Sequence, residues 1–160
     1  MKLVLSIDPS GNFVDGHGHT GLVLAQVTDD GWEVVMKETI KAADYDSRLD
    51  YWRAHIPLLD QGLDLIVMED FMLYPFVKQG YSYMETPRLL GILELSADTF
   101  KIPVVFQRAT ETSHLTEDVL IERGILEKRK NRYWHKGKIY NDHERSALKH
   151  FIRWYEKETK

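Results

Sequence analysis

Asp8 closes the apolar run Lys2-Leu-Val-Leu-Ser-Ile7, and Glu69 closes Leu65-Ile-Val-Met68. Both runs have the length and composition of buried strands. In an open α/β sheet, ligands bind just beyond the carboxyl ends of the strands. A carboxylate there stands on a rigid platform, where its oxygens can hold a hard cation. One acidic strand end is ordinary, and Asp8-Pro-Ser-Gly is also good turn chemistry; Glu69 beside Asp70 also reads as an exposed strand end. Two such ends fit a centre that activates water and stabilises a leaving oxygen through cations.

A third group comes from Asn141-Asp-His-Glu-Arg-Ser-Ala-Leu-Lys-His150. Asn141 and Glu144 match a capping box, so a helix opens there. His143, Ala147, His150, Phe151 and Trp154 recur at helical spacing and mark its inward face. His143 thus points toward the sheet from the first turn, with Ser146 close by at i+3. A histidine on such a face is often only a satisfied core residue. Asp142 is a reserve carboxylate, and its structural role would be to complement the helix dipole. His17-Gly18-His19 carries two imidazoles but sits in a Gly-rich loop, which lacks preorganisation for a metal. No nucleophile elbow for a Ser-His-Asp hydrolase is present.

The segment 127–138 holds six Lys/Arg against one Glu: Lys128, Arg129, Lys130, Arg132, Lys136 and Lys138, with Tyr133 and Trp134 among them. Cations neutralise phosphates and aromatic rings stack on unpaired bases, so this segment is a candidate DNA contact. Its plain alternative is a solvated hairpin. Phe71, Tyr74 and Lys78, in an aromatic stretch directly after Glu69, form a second candidate surface. The alternatives there are a partly buried loop or a dimer contact.

These groups need elements to hold them. Strands are expected at 2–8, 21–27, 32–40, 64–69 and 104–108, the second and third joined by a turn at Asp29-Asp30-Gly31. Helices are expected over 44–61, bent at Pro57; from an N-cap at Thr86 with Pro87 at the first position; over 117–125; and over 142–157. Three antiparallel strands followed by alternating helix and strand give a mixed α/β sheet flanked by helices.

The 160 residues read as one domain, 1–160. Cysteine is absent, which excludes disulfides and thiolate metal sites. No apolar run approaches the roughly 20 residues that span a bilayer. The net charge of −4 gives no global basic field, so any nucleic-acid contact must be local. A cytoplasmic protein is expected.

Taken together, Ser6-Ile-Asp8-Pro-Ser-Gly11, Thr20-Gly21, Val67-Met-Glu69-Asp-Phe71, Thr86-Pro-Arg-Leu-Leu-Gly91 and His143-Glu-Arg-Ser-Ala-Leu148 resemble the RuvC family of Holliday-junction resolvases, in the ribonuclease H-like superfamily. The order and separation of the motifs follow the family over nearly the whole chain, and the short length is most similar to phage-encoded members, whose location is the bacterial host cell. The resemblance implies a five-stranded ribonuclease H-like sheet, three strands antiparallel and then two parallel. It implies a homodimeric endonuclease that cuts four-way or other branched DNA symmetrically, with Mg²⁺ or Mn²⁺, two ions per site. Asp8 and Glu69 would be metal ligands, and His143 a third ligand or the activator of water. Arg88, in the Thr86 motif, would join the DNA surface, and the helix carrying Gly91 would be the dimer element. One position departs from the pattern: Ser146 stands where the family has Asp, and a hydroxyl is a poor cation ligand. Either Asp142 or Asp70 would compensate, or catalysis would be weaker. Two other readings keep the fold: a branched-DNA-binding module that does not cut, and a nuclease for another substrate such as RNA–DNA hybrid or linear duplex.

Overall fold

The computed structural model describes residues 1–14, 16–72 and 84–160. Its main sheet has the order β3-β2-β1-β4-β5, built from β1 (Lys2–Asp8), β2 (His19–Thr28), β3 (Gly31–Lys41), β4 (Leu65–Glu69) and β5 (Val104–Gln107). The first three strands are antiparallel; β4 and β5 run parallel to β1. This is the five-stranded mixed sheet, three strands antiparallel and two parallel, that the resemblance implied. In β1 and β4 the two-residue alternation divides each strand between two cores. Leu5, Ile7, Ile66 and Met68 join a cluster with α1 (Arg48–Arg53) and α2 (Glu85–Thr99). Val4 and Val67 join the opposite cluster, with α3 (Glu117–Glu122) and α4 (Asp142–Glu158).

Several boundaries differ from expectation, each for a local reason. The helix expected over 44–61 is only α1, followed by a 3₁₀ turn over Ile56–Leu59. Ser47 caps it late by accepting from Asp50 N, and Pro57 cannot continue an α-helical ladder. Along this stretch Tyr51, Trp52 and Leu59 are buried, while Leu49 is exposed. Helix α2 begins at Glu85, one turn position before the expected cap, so Thr86 is inside it. The Thr86 hydroxyl instead accepts from Gly11 N at 3.0 Å. Strand β5 stops at Gln107 rather than 108, and α3 ends at Glu122, with Gly124 in the left-handed region beyond it (φ 70°). The basic segment is a second, three-stranded antiparallel sheet: β6 (Glu127–Arg129), β7 (Arg132–His135) and β8 (Lys138–Tyr140).

The loop after Asp8 is more ordered than its glycines led us to expect. Tyr51 Oη donates to Ser10 O (2.5 Å), Trp52 Nε1 donates to Gly11 O (2.9 Å), and Phe13 N donates to Glu85 Oε2 (2.5 Å). Ser10 N donates to Thr20 Oγ1 (3.1 Å), and the Thr20 hydroxyl lies 2.9 Å from Nε2 of the buried His55. His55 Nδ1 lies 2.9 Å from Tyr51 O. A carbonyl only accepts, so Nδ1 carries the proton and Nε2 accepts from Thr20. Burial pushes the His55 pKa down to about 4. The unfolded chain therefore binds a proton near pH 6.5 that the folded chain refuses until about pH 4. Stability from this group is complete above pH 6.5 and is lost as pH falls, by ~2–3 kcal/mol at pH 4.5. Urea unfolding at pH 7.5 and 4.5 tests this: wild type should lose that much more stability between the two than His55→Asn. Equal losses in the two proteins would show that His55 does not carry the effect.

No helix among the described residues is long and apolar enough to cross a membrane.

Candidate active site

Asp8 and Glu69 occupy neighbouring parallel strands in register, since Ile7 pairs with Met68. The strands lie ~4.8 Å apart, so both carboxylates leave the sheet's carboxyl edge side by side. Counting by two from Ser6, whose hydroxyl donates to Ala147 O at 2.7 Å, sets both side chains on the α4 side. Gln107 ends β5 on that side as well, one strand beyond Glu69.

Helix α4 lays three polar groups against this edge at i, i+3 and i+7. His143 Nδ1 is 3.5 Å from Asp8 Oδ2. Ser146 Oγ donates to Glu69 Oε2 at 3.4 Å. His150, fully buried, places Nε2 2.9 Å from the same Glu69 oxygen and Nδ1 3.0 Å from the Gln107 amide. The first turn of α4 is fixed by its capping box, formed as expected, and by Lys37 on β3, which pairs with Glu144 at 2.9 Å. It also rests directly on β2. Gly21 pairs with Asp8, and a Cβ there would stand 2.2 Å from the His143 carbonyl carbon. Only glycine permits that approach.

The electrostatics follow from this enclosure. Burial raises the Asp8 pKa above the usual carboxylate range, and the charge of Glu69 adds to it; His143 works in the other direction without reversing it. His143 is raised by its hydrogen bond to Asp8. His19, at the start of β2, stacks face to face on His143 with centroids 5.3 Å apart and planes 5° from parallel. A groove of about 400 Å³ opens from the two carboxylates, walled by Asp8, Glu69, Ser146, Asp142, Thr116 and Lys149. A second cleft, lined by Pro9, Phe71 and Thr86 among others, reaches Glu69 from the other side.

The sequence candidates thus divide. Asp8, Glu69, His143 and Ser146 come together. Asp142 lines the groove, but its Oδ1 is held by Arg145 at 2.5 Å and its side chain is 87% exposed. Among the described residues, no three His, Asp or Glu side chains form a group that could by itself hold a metal ion. The donor set still fits a small hard cation in another way. Mg²⁺ is commonly bound through one or two carboxylates, with water and substrate phosphate completing the shell. A partly buried carboxylate whose pKa is raised by desolvation and by its neighbour's charge is one that a cation would relieve. Asp8 and Glu69 fit that role, and Ser146 adds no anionic ligand.

Of the expected DNA contacts, Phe71 packs partly against the α2-side core and lines the second cleft. Arg88 lies over the Trp52 ring, 5.5 Å from its centroid. Tyr74 and Lys78 lie outside the described residues. Strand β8 leads directly into Asn141, and β7 pairs Tyr133 with Tyr140, so the 129–132 turn lies toward the N-terminal end of α4, the end that carries His143. There Arg129 covers Trp134, while Lys128 and Arg145 cover Tyr133. The other turn of the small sheet runs the opposite way: Lys136 lines a cleft with Thr28, Gly31 and Trp32, and His135 stacks on Trp32. That is the Lys2 end of β1, ~20 Å from Asp8. Lys136 and its neighbour Lys138 are therefore set apart from the site, because β7 and β8 turn away from it.

Gln107 and His150 were not among the sequence candidates, and His19, set aside as part of a Gly-rich loop, begins β2 instead. A signal existed for His150, which shares the His143–Ser146 stripe. Gln107 was visible as a polar strand end beside Glu69.

The chain matches no protein-family model and no curated protein sequence. Its likeness is to solved structures. Thermus thermophilus RuvC in complex with a Holliday junction substrate superposes with a TM-score of 0.69 at 18% identity, over 98% of this chain and 96% of that one. A second Thermus thermophilus RuvC structure gives 0.67, also at 18% identity and the same coverage. The fowlpox virus resolvase with substrate Holliday junction DNA gives 0.59 at 13% identity, over 96% and 99%. The fold of this chain is that of the RuvC-like resolvases.

Proposed function

We propose that this chain is a divalent-metal-dependent endonuclease that resolves four-way DNA junctions. One observation carries the reading: two register-matched carboxylates, one facing a histidine, open onto a groove on a fold whose neighbours include resolvases solved with junction DNA. Asp8 and Glu69 would hold Mg²⁺ or Mn²⁺ ions, which supply an activated water and charge neutralisation at the leaving oxygen. His143, oriented through Nδ1 by Asp8, takes up the proton of the attacking water at Nε2. The stacked His19 ring restricts that imidazole to one plane. The basic 129–132 turn grips phosphates of the arm entering the groove. Two copies joined through α2 would each cut one of two symmetric strands, leaving 5′-phosphate and 3′-hydroxyl ends. Leu95 and Phe100, exposed large apolar residues of α2 and its C-cap, support that element as the dimer contact.

Incubation of the purified protein with a synthetic four-way junction tests the reading. Paired nicks at symmetric positions are expected with Mg²⁺ or Mn²⁺ and none in EDTA. Tight junction binding without cutting at any metal concentration would favour the second reading, a non-cleaving junction-binding module, for which Ser146 is the motivating feature. Cutting of linear duplex or RNA–DNA hybrid in preference to the junction would replace the substrate.

The phosphate grip has its own signature. Arg129→Ala and Arg132→Ala should each weaken junction binding and each reduce the slope of log K against log salt by ~0.9. Lys136→Ala, set at the far turn, should change neither. Fluorescence titrations at several salt concentrations measure all of them, and an equal effect of Lys136→Ala would contradict this orientation.

A further inference from the structure

Glu69 offers two oxygens, and the protein has already occupied one of them. Oε2 faces both His150 Nε2 (2.9 Å) and the Ser146 hydroxyl (3.4 Å). His150 is fully buried and Gln107 nearly so, and neither belongs to the chemistry proposed above. The orientation of the Gln107 amide decides what His150 does. Turned so that its nitrogen faces the helix, Gln107 donates to His150 Nδ1 (3.0 Å) and to His150 O (3.2 Å), while its oxygen accepts from Trp154 N (3.3 Å). In that arrangement all its contacts pair a donor with an acceptor. Nδ1 is then an acceptor, so the proton of the neutral ring is on Nε2 and is donated to Glu69.

We infer that His150 is a positioning residue: with Gln107 fixing its tautomer, it pins Glu69 Oε2 and leaves Oε1 to meet a cation in the groove. The inference rests on the proposed metal-dependent reading and adds a residue to it. It also gives Ser146 a role. At i+3 from His143, a carboxylate would face Glu69 with like charge, whereas a hydroxyl donates to the same oxygen as His150. This centre is thus organised by two donors behind one carboxylate rather than by an added anionic ligand. Partners of this kind, one bond removed from a ligand, typically change metal affinity ~10–100-fold when lost.

The test uses His150→Leu and His150→Gln in the full chain without DNA. The amide nitrogen of Gln lies as many bonds from Cα as His Nε2 does, so it can replace the donor; Leu keeps bulk and donates nothing. Mn²⁺ binding, followed by calorimetry, should weaken ~10–100-fold in His150→Leu and return to within a few-fold of wild type in His150→Gln. Thermal unfolding establishes that each variant is folded. Imidazole ¹⁵N spectra of the wild type should show His150 protonated at Nε2 and bare at Nδ1, a readout that needs neither variant. A folded His150→Leu that binds Mn²⁺ like wild type overturns the inference, as does equal weakening in both variants or a proton on Nδ1. If the wild type binds Mn²⁺ in a Glu69-dependent way yet leaves junctions uncut, the proposed function fails and the positioning role stands. If it cuts junctions but Glu69→Gln binds Mn²⁺ equally well, the positioning role fails and the function stands.

Discussion

Asp8→Asn and Glu69→Gln should each lower junction cleavage by at least ~10³-fold while junction binding changes only a few-fold. The size follows from what a lost ligand removes. Cation stabilisation of an attacking and a leaving oxygen is worth several kcal/mol, and ~4 kcal/mol is ~10³ in rate. Binding is spared because the phosphate grip comes from the 129–132 turn, which neither substitution touches. Asp8→Asn also carries a second expectation that a merely structural aspartate would not share. The folded state raises the Asp8 pKa, through burial and through Glu69. At pH 7–8 its charged form is therefore held at a cost to stability, a cost that disappears as pH falls through the raised pKa. A neutral amide of the same shape removes that cost at neutral pH. Asp8→Asn should thus melt no lower than wild type while being inactive. Cleavage assays and thermal scans at pH 7.5 check the pair of outcomes. An Asn variant that cleaves normally with metal would remove Asp8 from the mechanism, and one that melts well below wild type would make its role structural.

That opposition between stability and activity explains which parts of the site were legible in the sequence. Asp8 and Glu69 stood out because each ends an apolar strand with a charge, breaking the local pattern that builds a core. His143 stood out because it lies two residues past the capping Asn141, where helical periodicity fixes its direction. His150 was hidden for the same physical reason that makes it useful. A histidine between Ala147, Phe151 and Trp154 has the periodicity of a core residue, and no local rule tells that its Nε2 reaches a strand end 81 residues earlier. Gln107 could be seen as polar but not as the group that sets a tautomer. The overlong helix at 44–61 came from apolar spacing that continues through Pro57, where the backbone cannot. The dispersal of the basic segment had another cause. Composition placed Lys128 to Lys138 in one patch, but a three-stranded sheet sends successive turns to opposite ends, and only one end adjoins Asp8.

Gly21→Ala should disable the site without altering any group that takes part in it. Gly21 lies opposite Asp8 across the β1–β2 ladder, directly under the first turn of α4. A Cβ there would meet the His143 carbonyl carbon and oxygen at 2.2 Å and Glu144 N at 2.8 Å, all backbone atoms, against an ordinary contact of 3.4 Å or more. Side-chain rearrangement cannot relieve this, so either β2 or the helix must move by about 1 Å. The helix is held at both sides of that point, by the Lys37–Glu144 pair and by the Ser6 bond to Ala147 O, so its displacement strains both. Overpacking of this kind costs ~1–3 kcal/mol. The larger consequence is chemical. His143 would leave Asp8, and through the same helix Ser146 and His150 would shift relative to Glu69. A misplacement of ~1 Å at a reacting centre costs ~10²-fold in rate. The variant should therefore lose cleavage by about that factor, with a lower melting temperature and nearly normal junction binding. Ser substitution should behave like Ala, because the obstruction is the Cβ itself. Gly21→Ala with wild-type melting and wild-type cleavage would mean that the helix approaches β2 less closely than the Asp8–His143 geometry requires.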